Sequence, residues 1–285
     1  MKKLLIIIPA FNEKDKIGEV IKKVPQDIQG IDIIKILVIN DGSTDGTPEI
    51  ARKIGVEVID NYKNMGVGFS FGRGLQYAVD NSFDMMVNID GDGQFDPGDI
   101  HGLLGPILEE GAEFVTASRF IDKKPIHNMS IAKLWGNRLM SILISHLVGK
   151  KYLDVSCGFR AYSNRALLSL NLHGRFTYTQ ETFIDLSFKG LDIREVPITV
   201  KYFPSRRSKV ASNLFIYAVN TLKIILGTYR DYKPLAFFSV IALVFLVTGT
   251  AFEIVLLWTY LSRGTFSPNI WSGFVGAAFF FLSVI

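Results

Sequence analysis

The feature that most constrains this 285-residue chain is an alternation running through its first 120 residues. Short apolar runs, "LLIII" (4–8), "IKILVIN" (34–40), "VEVID" (56–60), "FDMMVNI" (83–89) and "EFVTAS" (113–118), are separated by stretches of helical periodicity. Lys14 to Val24 carries Ile17, Val20, Ile21 and Val24 at helical spacing, and Thr47 to Ile54 and Gly72 to Val79 behave alike. Near-continuous apolar runs mark strands covered on both faces, and βα alternation builds a mostly parallel sheet between helices. Ligands of such sheets gather beyond the carboxyl ends of the strands. The polar clusters "PAFNE", "NDGSTDGT" and "DGDGQFDP" each follow a strand in that way.

Residues 121–200 are less regular. Ala132 to Val148 reads as a helix whose Leu134, Leu139, Ile142, Leu143 and Leu147 form one apolar stripe. "YTQETFIDLSFKG" reads as a helix ending at Gly190, and "IREVPITVKYF" as a strand containing Pro197. Beyond it, Arg206, Arg207, Lys209, Lys223, Arg230 and Lys233 face only Asp231, the basic pattern that flanks a membrane span on its cytoplasmic side. Ala211 to Tyr229, apolar on one side, suits a helix lying flat in the interface. From Leu235 to Leu261 only Glu253 is ionisable, and the length suits a helix across a ~30 Å hydrocarbon core. A charge there is costly in lipid, so Glu253 is expected to face another helix or the water interface. A second apolar run from Asn269 is still apolar at Ile285, which reads as membrane helices cut short.

The expected organisation is a catalytic α/β domain over 1–204, a basic juxtamembrane segment over 205–233 and transmembrane helices over 234–285. This is the layout of a multi-pass cell-membrane protein with its catalytic domain in the cytoplasm. The opening "MKKLLIIIPAFNE" imitates a signal peptide, but its apolar run is short and Pro9 interrupts it. A net charge of +4 implies no general nucleic-acid surface, and 22 Phe with 10 Tyr exclude a disordered chain. Cys157 is the one cysteine, so no internal disulfide forms, and burial is its expected state.

In "NIDGDGQFDP", Asp90 and Asp92 stand two apart at a strand end, where two carboxylates and the Gln94 amide can face one hard cation such as Mg²⁺ or Mn²⁺. An acidic turn is the plain alternative. A calcium loop fails, because Phe95 stands at its glycine position and His101 at its closing glutamate. In "INDGSTDGT", Asp45 reads as the N-cap of the helix opening near Thr47, and Asn40 and Asp41 suit either a turn or hydrogen bonds to a base or ribose. "NMGVGFSFGRG" lacks the dinucleotide spacing, yet its small residues let backbone amides approach phosphate, and Arg73 adds charge. Arg206, Arg207 and Lys209, with Ser205 and Ser208, fit phosphate or anionic lipid headgroups. Arg119 and Lys133 suit phosphate or the bare surface. Glu181 suits a helix N-terminus or a site. His101, His127, His146 and His173 show no metal spacing.

Taken in order, "IIIPAFNE", "LVINDGSTDGT", "NMGVG", "NIDGDGQFDP", "ASRF", "DVSCGFRAY", "TQE" and "SRRSKVASN" resemble inverting family 2 glycosyltransferases. Within these, the pattern is similar to the dolichyl-phosphate mannosyltransferase and glucosyltransferase group, from Met1 to about Pro234. The resemblance implies a GT-A fold and a D-x-D-x-Q metal motif at Asp90, Asp92 and Gln94, holding Mg²⁺ or Mn²⁺ on a nucleotide-sugar diphosphate. It implies a nucleotide-sugar pocket at Pro9, Ala10, Phe11, Glu13, Asn40, Asp41 and Ser43, with Gly68, Arg73 and Asp90. Arg119, Lys133, Arg206 and Lys209 would hold an acceptor phosphate, Arg206 also the diphosphate, and Asp92, Arg206 and Glu181 would carry the catalysis. The implied reaction moves mannose or glucose from GDP-mannose or UDP-glucose to polyprenyl or dolichyl phosphate at a bilayer, with inversion. A homo-oligomer is compatible with this reading.

Two departures bear on the donor. Asn40 replaces a frequent Asp, and Val67 a frequent Lys, so GDP and UDP both stay open. The alternative is a family 2 transferase that extends a polysaccharide or glycosylates a lipid hydroxyl. That chemistry needs a carboxylate base, for which Glu181 is the candidate, whereas an anionic phosphate attacks without one.

Overall fold

The computed structural model describes residues 1–122, 129–172, 178–201 and 214–284, and the chain divides into two compact units, Met1–Ile225 and Leu226–Ile285. The first unit is built on seven strands: β1 (Lys3–Ala10), β2 (Ile33–Asn40), β3 (Glu57–Asp60), β4 (Met85–Asn88), β5 (Phe114–Ser118), β6 (Arg160–Ser163) and β7 (Ile193–Pro197). They form one sheet in the order β3-β2-β1-β4-β6-β5-β7. All run the same way except β6, which is antiparallel to both neighbours. The five expected strands and the Pro197 strand are present. Pro197 closes β7 at the sheet edge, where a residue without an N–H leaves no ladder bond unmade.

Alternate residues of β1 feed two cores. Leu4, Ile6 and Ile8 pack with Ile17, Val20 and Ile21 of α1 (Ile17–Lys23), Ala51 of α2 (Thr47–Ile54), and Leu103 and Leu104 of α4 (Ile100–Glu109). Leu5 and Ile7 pack with Phe71 and Ala78 of α3 (Val67–Asp80), Ile144 of α5 (Ile131–Val148), Ala166 and Leu167 of α6 (Asn164–Ser169), and Phe183 and Leu186 of α7 (Thr179–Phe188). The result is a three-layer α/β/α body. Helix α2 has the expected bounds, but Gly46 occupies its N-cap position. Asp45, one residue earlier, still accepts the Thr47 N–H at 3.1 Å. Helix α5 departs from the sequence reading: Leu143, Leu147 and Ile144 turn to the core, while Leu139 and Ile142 stay exposed. The single expected stripe is two faces.

Helix α8 (Leu214–Tyr232) begins where description of the chain resumes, so Ala211 lies outside the described residues. Helix α9 (Pro234–Arg263) is 30 residues long and apolar enough to span a bilayer. Helix α10 (Ile270–Val284) has 15 residues, short of the roughly 20 a span requires. It pairs with α9 through small residues: a methyl on Gly276 would stand 2.7 Å from a Glu253 carboxylate oxygen, and one on Gly249 would stand 3.0 Å from the Gly276 carbonyl. Glu253 therefore faces another helix, one of the two surroundings expected for it.

Close approach also fixes α3. A methyl on Gly74 would lie 2.8 Å from Ile7 Cδ1, so only glycine lets the helix sit this near β1. Gly74→Val is expected to lower unfolding stability by about 1–3 kcal/mol through overpacking, measured by denaturant titration.

Candidate active site

The carboxyl ends of β1, β2 and β4 bring the first polar clusters together. Their loops are laced by side-chain bonds: Asn12 N–H donates to Ser43 Oγ at 2.9 Å, Thr44 N–H to Asn12 Oδ1 at 2.8 Å, and Glu13 N–H to Thr47 Oγ1 at 2.8 Å. Asn12 itself has φ 53°, a left-handed conformation that asparagine tolerates. Asn40 and Asp41 are nearly buried and serve the neighbouring loop. Asn40 Nδ2 donates to Asp60 at 2.8 Å, and its Oδ1 accepts from Ser43 N–H at 3.0 Å. Asp41 accepts from Asn61 Nδ2 and Met65 N–H at 2.8 Å and from Gly66 N–H at 2.9 Å. Arg73 reaches the same loop, donating to the Asp60 carbonyl at 2.7 Å and Asn61 Oδ1 at 2.9 Å. These residues shape the loop that leads into Gly66, Gly68 and α3.

Asp90 follows β4 and the fully buried Ile89, and Gly91 N–H reaches back to the Pro9 carbonyl at 3.3 Å. Asp92 Oδ1 accepts from Gln94 N–H at 2.9 Å, the short turn that presents the acidic motif. The Gln94 carbonyl accepts from Lys201 N–H at 2.9 Å. The reversed strand β6 then delivers the 155–159 loop to the same edge. Asn88 Nδ2 donates to the Gly158 carbonyl and to Tyr178 Oη, both at 2.7 Å. A methyl on Gly158 would sit 3.2 Å from Asp90 Oδ2. Glycine at this position keeps a side of the carboxylate clear.

Fully buried Arg160 holds that loop. It donates to the carbonyls of Cys157 at 2.7 Å, Thr179 at 2.9 Å and Val155 at 3.0 Å, with the rings of Phe114, Tyr178 and Phe183 at 5.1–5.6 Å. Carbonyl dipoles and aromatic faces offset the cost of burying this cation. Burial pushes the Cys157 thiol up to about 12, so the expected buried cysteine is also an inert one.

A second cluster adjoins the carboxylates. Arg119 lies just past β5 and forks onto Asp154, with Nε at 2.6 Å and Nη2 at 2.7 Å; the side chains are 7% and 0% exposed. Lys133, in the first turn of α5, is held below the ordinary lysine range, first by desolvation and then by Arg119, against the pull of Asp92, Asp90 and Asp154. The residue remains exposed, so water screens this shift. Buried Glu181 stands in the first turn of α7 beside buried Gln180, whose Nε2 approaches Ser156 Oγ at 3.3 Å. Ser205, Arg206, Arg207, Ser208, Lys209, His127 and His173 lie outside the described residues.

Sequence reasoning missed Asp154, Arg160 and Glu195. Glu195 of β7 accepts the N–H groups of Leu153 and Asp154 at 2.8 Å each, fixing the turn that carries Asp154. The only signal was "DVSCGFRA" itself, and neither partner of Asp154 is near it in sequence. Among the described residues no group of three His, Cys, Asp or Glu gathers. The donors at hand are two carboxylates and an amide, hard oxygen ligands that suit Mg²⁺ or Mn²⁺, beside the clearance left by Gly158.

A seven-stranded α/β/α body with an acidic pair at a strand end is the architecture of the GT-A fold. Glycosyl transferase family 2 matches residues 5–170, more than half of the chain, and the protein belongs to that family. It is 32% identical over 221 residues to the UDP-N-acetylglucosamine–dolichyl-phosphate N-acetylglucosaminyltransferase of Methanococcus voltae, covering 70% of this chain and 86% of that one. It is 26% identical over 212 residues to the polyprenol monophosphomannose synthase of Mycolicibacterium smegmatis, covering 70% and 77%. Glucosyl-3-phosphoglycerate synthase of Mycobacterium tuberculosis, solved with Mn²⁺, UDP and glucosyl-3-phosphoglycerate, shares the fold at TM-score 0.61 and 22% identity, covering 81% of this chain and 80% of that one.

Asp154→Asn would leave Arg119 buried beside a neutral amide. A loss of about 3 kcal/mol or more is expected in denaturant unfolding. Burial pushes the Glu195 carboxyl above the ordinary range, and the bonds from Leu153 and Asp154 only partly oppose it. The native state then keeps this proton to higher pH than the unfolded chain. The associated stability is complete below the ordinary glutamate range and is lost as pH rises through the elevated value. Glu195→Gln should flatten that part of the stability–pH curve measured by thermal unfolding.

Proposed function

We propose that this family 2 enzyme transfers a sugar from a nucleoside-diphosphate sugar to polyprenyl phosphate at a membrane, with inversion and with a divalent cation. The observation that carries the reading is the meeting of two charge clusters. Lys133 stands within electrostatic reach of the carboxylates Asp90 and Asp92 and also of Arg119 and Asp154. One cluster suits a metal-bound diphosphate and the other an acceptor phosphate. Relatives named for polyprenyl-phosphate or dolichyl-phosphate acceptors support the second assignment.

Asp90, Asp92 and Gln94 would hold the Mg²⁺ or Mn²⁺, which when bound supplies positive charge against the leaving diphosphate. The loops of Pro9 to Glu13, Asn40 to Ser43 and Gly66 to Gly68 frame the donor, with Asn40 and Asp41 acting through the loop they bond. Lys133 and the Asp154-held Arg119 orient the acceptor phosphate for attack on the anomeric carbon. A phosphate is already anionic at neutral pH, so Glu181 is left to contact a sugar hydroxyl. Arg206 and Lys209 add charge at the phosphates. The basic flank of Lys223, Arg230 and Lys233 ahead of α9 favours a catalytic unit in the cytoplasm and a membrane-anchored chain. The range of sugars named among the relatives leaves mannose, glucose and N-acetylglucosamine donors to be compared.

Membranes containing the protein, given labelled GDP-mannose, UDP-glucose or UDP-N-acetylglucosamine with polyprenyl phosphate and Mn²⁺, should form an acid-labile glycolipid from one of them. Asp92→Ala should reduce this roughly 10³-fold, as loss of a preorganised electrostatic group does. Full activity in that variant removes the metal assignment. Glu181→Gln should be mild; an inactive variant would point instead to a hydroxyl acceptor.

A further inference from the structure

Asn88 ends β4, two residues before Asp90, and places an amide where packing alone would favour an apolar side chain. It is fully buried, and its Oδ1 has no hydrogen-bond partner among the described residues. An unmet buried oxygen costs about 1–3 kcal/mol, a cost that proteins retain where the group serves a site. What the amide does hold lies on its other side. Nδ2 donates to the Gly158 carbonyl and to Tyr178 Oη, both at 2.7 Å, and the Tyr178 hydroxyl donates to the same carbonyl at 3.4 Å. Tyr178 is itself firmly placed. It is 1% exposed, its ring stacks on Phe71 of α3 with centroids 3.9 Å apart, and its carbonyl accepts from the N–H and the Oγ1 of Thr182 in α7.

We infer that Tyr178 is a positioning residue: acting with the Asn88 amide on the Gly158 carbonyl, its hydroxyl keeps the space beside Asp90 open for the divalent cation. The geometry converges on Gly158. A methyl there would stand 3.2 and 3.4 Å from the two carboxylate oxygens of Asp90 and 3.5 Å from Tyr178 Oη, so carboxylate and phenol line one small space. A shift of the 155–159 loop toward Asp90 would close it. Arg160 grips the carbonyls of Val155 and Cys157, and the Asn88–Tyr178 pair grips that of Gly158, the residue that faces the carboxylate. Burial, with Tyr162 and Asp90 nearby, pushes the phenol well above the ordinary tyrosine range, so a neutral hydroxyl lies by the carboxylate instead of a second anion. Groups that hold a metal's ligands from behind alter metal affinity roughly 10–100-fold when they are removed. The cation belongs to the function proposed above, and the inference rests on that reading; the ring of bonds does not.

The test is Mn²⁺ binding to the full chain in detergent, read by the loss of the free-ion electron paramagnetic resonance signal, with no sugar and no turnover. The native chain should bind Mn²⁺ at a site that Asp90→Asn abolishes. Tyr178→Phe keeps the stack on Phe71 and removes the oxygen; it should weaken that binding roughly tenfold while the thermal unfolding midpoint stays near the native one. Asn88→Ala should act alike, and the double variant should weaken binding no further, because both side chains work through one carbonyl. Native Mn²⁺ affinity in Tyr178→Phe overturns the inference and leaves the metal assignment standing. Losses that multiply in the double variant overturn it too, since they reveal a general loosening and no shared contact. Should Tyr178→Phe not fold, Gly158→Ala fills the same space directly: roughly tenfold weaker Mn²⁺ binding is expected, and unchanged binding overturns the inference. No Mn²⁺ bound by the native chain removes the metal assignment, and this inference with it.

Discussion

A guanidinium with donors and no acceptor lies buried within the catalytic unit, and the loops around it are arranged by its need for acceptors. Arg160 is fully buried, and among the described residues no carboxylate is paired with it. It takes three main-chain carbonyls instead, two from the 155–159 loop and one from the start of α7. Those two segments carry Gly158, which keeps the space beside Asp90 clear, and Glu181. Removing Arg160 would therefore free three carbonyls and two loops at once, and the shape of the carboxylate corner goes with them.

Much of the first half of the fold was legible because of how it is covered. Strands β1, β2 and β4 are packed on both faces, so their sequences are unbroken apolar runs, and the polar residues that follow mark the binding edge. Strand β6 was not legible. It is four residues long, begins with an arginine and runs against its neighbours, and its pairing depends on a connection that sequence periodicity does not encode. Helix α5 was found, with nearly its observed bounds, but its stripe was misjudged. Apolar residues on both sides of a helix look alike in sequence, and only packing shows that Leu143 goes in while Leu139 and Ile142 stay out.

The site divides the same way. Asp90, Asp92 and Gln94 could be singled out because they are adjacent, whereas Lys133 and Arg119 suited phosphate or the bare surface until the family resemblance matched them to an acceptor phosphate. What holds them was hidden. Asp154 is 35 residues from Arg119 and Glu195 is 41 from Asp154, so the chain of bonds from β7 through the turn to Arg119 exists only in three dimensions. Asn40 and Asp41 show the converse. Their place at a strand end suited either a turn or hydrogen bonds to a base or ribose, and the bonds the fold gives them run to the loop from Asp60 to Gly66.

The lone reversed strand also governs how the chain that leads into it is tethered. Because β5 ends and β6 begins at one edge of the sheet, the intervening stretch departs and comes back through a single doorway, closed by the bond from Ala117 N–H to the Phe159 carbonyl. That excursion contains Arg119, Lys133 and Asp154 together. Its middle, α5, is anchored in the core by Leu143, Ile144 and Leu147, and its end by the bonds of Arg160 to the Val155 and Cys157 carbonyls, so both ends of the excursion are pinned to the sheet.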